Sequence, residues 1–224
     1  MCRLLVRPCL GCDASILIYS TRRKPSEKLA VPNLTVRGYE LIDEIKKSLE
    51  AACPSTVCSD IVTLATGDSV VLARGPNYIA PTGRRDGLVS NPNNVKLHSP
   101  SFLVYEALEA FIAKGMTLND MVTLLGAHTV EFAHCNFFQD RLSDFQGSGS
   151  PDPSMDPALV SNLSTLCAAS SNPTTFLDQN TSSTFDNQLY NHILLKRGVL
   201  QIDQELASDT PGSGWKCRRN KEKG

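Results

Sequence analysis

The sequence predicts a mainly α-helical fold. Apolar residues recur at three- and four-residue steps in several long segments, Gly and Pro punctuate the gaps, and alternating strand patterns are few. The 224 residues are 41% hydrophobic and 20% charged, which is enough for a substantial core and places the chain outside the disordered class.

From Val36 to Ala52, Tyr39, Ile42, Ile45 and Leu49 mark the apolar stripe of an amphipathic helix that stops at Cys53-Pro54. Ser59 to Ala73 reads as a more buried helix, carrying Ile61, Val62, Leu64, Val70, Val71 and Leu72 and ended by Gly75-Pro76. Residues 77–100 form a long irregular connection holding Gly83-Arg84-Arg85-Asp86. Phe102 to Ala113 is a third helix, closed by Lys114-Gly115. Thr117 and Asp120 have capping-box spacing and open a helix through Leu125 towards Thr129. Residues 143–157 read as a surface loop, and Asp156-Pro157 then caps a helix to Cys167. Phe185 to Lys196 is the last clear helix, stopped at Gly198. No internal repeat interrupts this order. One folded unit over residues 1–209, with a disordered basic tail at 210–224, is expected.

Net charge is −1, but the last nine residues carry +4, leaving −5 on residues 1–215. That balance excludes a basic nucleic-acid module, and no apolar run is long enough to cross a bilayer. Arg3 and Arg7 interrupt the opening segment, which lacks a small-residue cleavage site and so is not a working signal peptide. Eight cysteines (Cys2, Cys9, Cys12, Cys53, Cys58, Cys135, Cys167 and Cys217) nevertheless suggest an oxidising compartment. Sequons at Asn33, Asn162 and Asn180 agree weakly. A secretory-type protein whose start is missing or altered reconciles the two.

Of the four histidines, His98 in a loop and His192 on a polar helix face are expected to be solvated. His128 differs, because it ends an apolar helix and follows Gly126-Ala127, whose small side chains let a large group approach the backbone. A histidine so placed is either a satisfied core residue or a ligand.

Gly11-Cys12-Asp13-Ala14-Ser15, Arg37-Gly38-Tyr39, Gly83-Arg84-Arg85-Asp86, Leu125-Gly126-Ala127-His128-Thr129, Phe185-Asp186-Asn187 and Asp203-Gln204-Glu205-Leu206 follow one another along the chain. This order resembles that of the plant secretory (class III) haem peroxidases, from about Gly11 to Asp209. The resemblance implies a haem-dependent peroxidase fold, here incomplete at its N- and C-terminal ends, with haem b, two calcium ions and four disulfides. It also implies an extracellular or vacuolar monomer that oxidises small phenolic donors with hydrogen peroxide, in oxidative-stress response and peroxide catabolism.

Carried onto this chain, the resemblance makes His128 the axial ligand of haem iron and Asp203 the buried carboxylate that holds its other ring nitrogen. Thr129, Asp178, Thr181, Thr184 (through its carbonyl) and Asp186 would form a proximal calcium site. Gly11, Asp13, Ser15 and Glu27 would form a distal one, weakened because Val6 stands where its first Asp belongs. Asn33 matches the residue that orients the distal histidine, so it should be buried and unglycosylated. Pro81 lies where aromatic donors approach. Asn180 falls inside the proximal calcium loop, which makes its sequon doubtful.

The departures concern the distal side. Counting back from Gly11, Leu5 occupies the position of the distal His and Met1 that of the Arg, and neither Arg3 nor Arg7 replaces an imidazole. Loss of general acid–base help costs about 10²–10⁴ in rate. After Asp209, Pro-Gly-Ser-Gly and a basic tail replace the expected helical region. Cys135 and Cys167 match a disulfide worth roughly 3–4 kcal/mol in the chain-entropy model. The pairing of Cys2, Cys9, Cys12, Cys53, Cys58 and Cys217 stays open. Two rival readings remain: a structural zinc or redox protein built on Cys9-x-x-Cys12 with Cys53 and Cys58, and a non-catalytic fragment that binds haem and calcium without turnover.

Overall fold

The computed structural model describes residues 12–95 and 99–207. Met1, Leu5, Val6, Gly11, His98, the tail 210–224 and Cys2, Cys9 and Cys217 lie outside that range. The chain forms two compact units, Met1–Leu97 and His98–Gly224.

In the first unit, short 3₁₀ turns at Ser15–Leu17, Glu27–Leu29 and Val31–Asn33 precede two helices. Helix α1 spans Tyr39–Ala52 and starts later than its periodicity predicts. Gly38, at φ 90°, turns the chain left-handed just before it, which glycine does without a Cβ penalty. Helix α2, Cys58–Leu72, packs on α1. Helix α2 is the more buried of the two, as read, though only in part. Ile61 and Val70 are buried, whereas Leu64, Val71 and Leu72 are exposed.

The Gly83–Asp86 motif clamps the start of α2. Asp86 accepts the N–H groups of Cys58 and Ser59, each at 2.8 Å, and the Ser59 hydroxyl at 3.0 Å. Asp60, in the first turn of α2, accepts the N–H groups of Gly83 at 2.8 Å and Arg84 at 3.2 Å. Helix end and loop thus satisfy each other's otherwise unpaired main-chain donors. Burial pushes the Asp86 carboxyl up, but the N–H groups of Cys58 and Ser59 outweigh it and hold the carboxyl below its ordinary range.

In the second unit, α3 (Val104–Ile112), α4 (Leu118–Leu125), α5 (Asp140–Ser143), α6 (Pro157–Ala168), α7 (Gln188–Leu194) and α8 (Gln201–Glu205) surround one apolar core. Phe111, Met121, Phe138, Leu177, Leu189 and Val199 lie at its centre. The capping box of α4 forms as read: the Thr117 hydroxyl accepts Asp120 N–H at 3.2 Å, and the Asp120 carboxylate accepts Thr117 N–H at 2.8 Å. The helix does not run on as α through Thr129; Gly126–Val130 tightens into a 3₁₀ segment.

Two three-residue strands pair antiparallel, β1 (Phe132–His134) and β2 (Thr174–Phe176), with Ala133 opposite Thr175. The Cys135–Cys167 disulfide ties the residue after β1 to α6. Cys12, Cys53 and Cys58 form no disulfide among the described residues.

Three further expectations need correction. Residues 143–157 are not wholly superficial, since Asp152 and Met155 turn inward. The helix read from Phe185 begins at Gln188, whose N–H is taken by Asp186 Oδ1 at 2.8 Å. His192, expected in solvent, is 3% exposed. Helices α5 and α8 went unread because four or five residues are too few for a periodic pattern.

Asp86→Ala should destabilise the protein by about 1–2 kcal/mol, as loss of a helix cap does. A carboxyl depressed on folding contributes stability above its unfolded pKa and loses it as pH falls through the folded one. In urea unfolding at a series of pH values, the gap between wild type and Asp86→Ala should therefore be full at neutral pH and close below about pH 4. A gap that does not change with pH would contradict the clamp.

Candidate functional site

Two groups of polar side chains are buried in the second unit, next to one another in sequence at His128 and Thr129. His128 lies on the 3₁₀ segment that follows α4 and is 8% exposed. Its Nδ1 is 2.8 Å from Oδ1 of Asp203, on α8, which has no exposure at all. Asp203 Oδ2 has no hydrogen-bond partner among the described residues. Gly126 is needed in the approach to His128, because a Cβ there would sit 2.5 Å from the Tyr190 hydroxyl. That hydroxyl donates to Val122 O of α4 at 2.7 Å and so locks α7 to α4.

Helix α8 is too short to hold itself in place. Three contacts fix it. Gln204 accepts Gly198 N–H at 2.9 Å and donates to Ile193 O at 3.0 Å. Glu205 accepts Val104 N–H at 3.0 Å, at the start of α3. Arg141, 1% exposed, donates to the carbonyls of Gly198 at 2.8 Å and Val199 at 2.6 Å, just ahead of α8. Its Nε pairs with buried Asp152 at 2.8 Å. Burial draws the Arg141 guanidinium below its ordinary pKa, while Asp152 opposes that shift.

Around Thr129, which is fully buried, oxygen atoms converge. Its hydroxyl lies 3.0 Å from Asp178 Oδ2 and 3.4 Å from Asp186 Oδ1. The Thr181 hydroxyl lies 3.0 Å from the same Asp178 oxygen. Asp178 Oδ1 accepts the N–H groups of Asn180 at 2.8 Å and Thr181 at 3.0 Å, and it meets His192 Nε2 at 3.2 Å. Burial pushes the Asp178 carboxyl up, but these donors prevail and hold it below its ordinary range. Thr184 closes the loop by donating its N–H to Thr181 O at 2.8 Å. The short sheet makes this meeting possible. Leu177, just beyond β2, donates to Glu131 O at 2.9 Å and carries Asp178 up to Thr129. No group of three or more His, Cys, Asp or Glu side chains among the described residues could hold a metal; here two carboxylates are joined by hydroxyl oxygens instead.

In the first unit, Ser15 N–H donates to Asp13 Oδ1 at 3.1 Å, and its hydroxyl donates to Glu27 at 3.1 Å. Asp13, Ser15 and Glu27 are thus brought together, while Gly11 lies outside the described residues. Gly87 packs so closely that a Cβ would stand 2.2 Å from Asp13 Oδ2. Asn33 is 2% exposed, as expected, and donates to Glu27 O at 2.5 Å, leaving its Oδ1 without a partner among the described residues. Pro81 is exposed on the loop beside the clamp. Cys12, Cys53 and Cys58 form no metal-holding group, and Cys9 is outside the described range, so the zinc reading finds no support.

Comparison with known proteins decides the family. A family model described as Peroxidase matches residues 4–218. Peroxidase 44 of Arabidopsis thaliana is 55% identical over 206 residues, covering 91% of this chain and 64% of that protein. Peroxidase 57 of the same plant is 57% identical over 209 residues, covering 93% of this chain and 65% of its own length. Peroxidase N of Armoracia rusticana is 45% identical over 207 residues, covering 88% and 61% respectively.

The chain belongs to the plant peroxidase family. It spans just under two thirds of the length of these peroxidases. The family motifs in the sequence contain His128, Asp203 and Asp186, and the resemblance adds Asp178. The motif at Asp203 includes Gln204 and Glu205 without showing that they hold α8, Arg141 lies in no motif, and His192, read as solvated from its helix face, faces Asp178. Nothing in a one-dimensional pattern distinguishes Arg141 and His192 from surface polar residues.

Arg141→Met should cost about 3–5 kcal/mol in urea unfolding, because it leaves Asp152 charged and buried without its partner. Adding Asp152→Leu should recover much of that loss. A single variant within 1 kcal/mol of wild type would show that Arg141 does not anchor α8.

Proposed function

We propose that this chain is a haem peroxidase-type oxidoreductase that uses hydrogen peroxide to oxidise small phenolic donors. The observation that carries the reading is the 2.8 Å contact between His128 Nδ1 and the fully buried Asp203 carboxylate. An imidazole that donates its Nδ1–H to a carboxylate keeps its lone pair on Nε2, the form a metal needs, and is made more basic by that bond. His128 would therefore be the axial ligand of haem b, a residue type and second-shell partner that fit the group. When bound, haem supplies the redox chemistry with peroxide, and the protein supplies orientation and electrostatics.

Thr129, Asp178, Thr181, Thr184 and Asp186 would hold a calcium ion, a hard cation suited to an all-oxygen set with two carboxylates. Gly11, Asp13, Ser15 and Glu27 would hold a second one more weakly, because Val6 offers no side-chain oxygen. Successive residues of a 3₁₀ segment point about 120° apart, so one short segment can direct His128 to haem and Thr129 to calcium. Pro81 would border the donor's approach and Asn33 would support the distal side. We expect an extracellular or vacuolar monomer, with Cys135–Cys167 as one of its disulfides.

Proton handling on the distal side has no matched residue, since Leu5 and Met1 stand at those positions. Turnover should accordingly lag an intact family member by about 10²–10⁴. The test is reconstitution with hemin, followed by absorbance and by peroxide-dependent oxidation of a phenol. His128→Ala should abolish the Soret band of the ligated protein, and His134→Ala should keep it. A Soret band indifferent to His128→Ala would overturn the haem assignment.

A further inference from the structure

Glu131 belongs to none of the sequence motifs, yet its side chain ends at the imidazole. It follows the 3₁₀ segment with extended backbone, φ −115° and ψ 159°. Its N–H donates to His128 O at 3.2 Å, and its carbonyl accepts Leu177 N–H at 2.9 Å. Both main-chain groups are therefore tied, one to the 3₁₀ segment and one to the residue after β2. From that fixed base the side chain turns back on its own loop, placing Oε2 3.6 Å from His128 Nε2. The two side chains are 12% and 11% exposed.

The imidazole of His128 thus lies between two carboxylates, Asp203 on Nδ1 and Glu131 on Nε2. Their functions differ. The contact at Nδ1 has hydrogen-bond length, whereas 3.6 Å at Nε2 is too long for a hydrogen bond and leaves the Glu131 carboxylate standing beside that nitrogen. The axial-ligand reading needs the first carboxylate and has no use for the second. A metal–imidazole bond is about 2 Å long. An oxygen this near Nε2 lies within van der Waals reach of anything bonded there.

We propose that Glu131 gates haem capture: its carboxylate covers the approach to Nε2 and has to swing clear before His128 takes the iron. The inference rests on the haem reading above. With the main chain pinned at both ends, the movement is confined to the side-chain torsions of Glu131, and its partial exposure gives the carboxylate a way out. The residue acts on the binding step and has no part in turnover.

The experiment compares hemin binding to the full chain in wild type, Glu131→Gln and Glu131→Ala, by Soret titration and stopped-flow association. Circular dichroism confirms that the fold is kept. Glu131→Ala should bind about fivefold faster and tighter, the size of one weak side-chain contact, with Glu131→Gln in between. In hemin-free protein, the ¹⁵N resonance of His128 Nε2 should move in Glu131→Gln while Nδ1 stays in place. Affinity and rate within twofold of wild type in both variants would overturn the gate. A gain that survives addition of His128→Ala would also overturn it. Binding in wild type that ignores His128→Ala would instead overturn the haem reading, and the gate with it.

Discussion

A carboxylate without solvent has to be met by a donor, and at Asp203 that donor is His128 Nδ1, 2.8 Å away. The two residues are 75 positions apart in sequence. Their meeting is therefore a product of tertiary structure, and most of the second unit can be understood as the means of arranging it. Helix α8 carries the carboxylate but has only five residues. Its place is set by the buried Arg141 beneath the preceding turn, by Gln204 reaching back to Gly198 and by Glu205 reaching the start of α3. On the other side, Tyr190 over Gly126 holds the histidine's own segment to α7.

The contrast between Asp203 and Asp178 is informative. Both are fully buried. Asp178 is surrounded by donors from Asn180, Thr181, Thr129 and His192, which spread its charge over the loop. Asp203 keeps one oxygen without a partner among the described residues and directs the other at the imidazole. A carboxylate so sparsely satisfied remains a strong acceptor, which suits a group whose work is to make a histidine more basic. A saturated one suits a fixed framework that holds the hydroxyls of Thr129 and Thr181 in place.

Much of this could be read from the chain itself. The three- and four-residue apolar pattern located α1 to α4, α6 and α7, and the capping spacing of Thr117 and Asp120 located the start of α4 closely. His128, Asp203 and Asp186 lie in ordered motifs and Asp178 came from the resemblance they carry; Asp203 meets His128, and Asp178 and Asp186 both meet the Thr129 hydroxyl. Short elements were lost, because α5, α8 and both strands hold too few residues to show a period. Burial was misread where it depends on neighbours: Leu72 looked like core and is 80% exposed, and His192 looked solvated and is 3% exposed. Glu131 could not be singled out at all. A glutamate two turns after an apolar helix looks solvated in one dimension, and only its main-chain ties send it back to the ring.

The central claim is that Asp203 governs the electronic character of His128. Resonance Raman spectroscopy of the reduced, hemin-loaded protein measures it most directly, through the iron–histidine stretching band in wild type and Asp203→Asn. The account predicts a lower frequency in Asp203→Asn, as a neutral amide withdraws less proton density from Nδ1–H and leaves the imidazole a weaker donor. An unchanged frequency would contradict it.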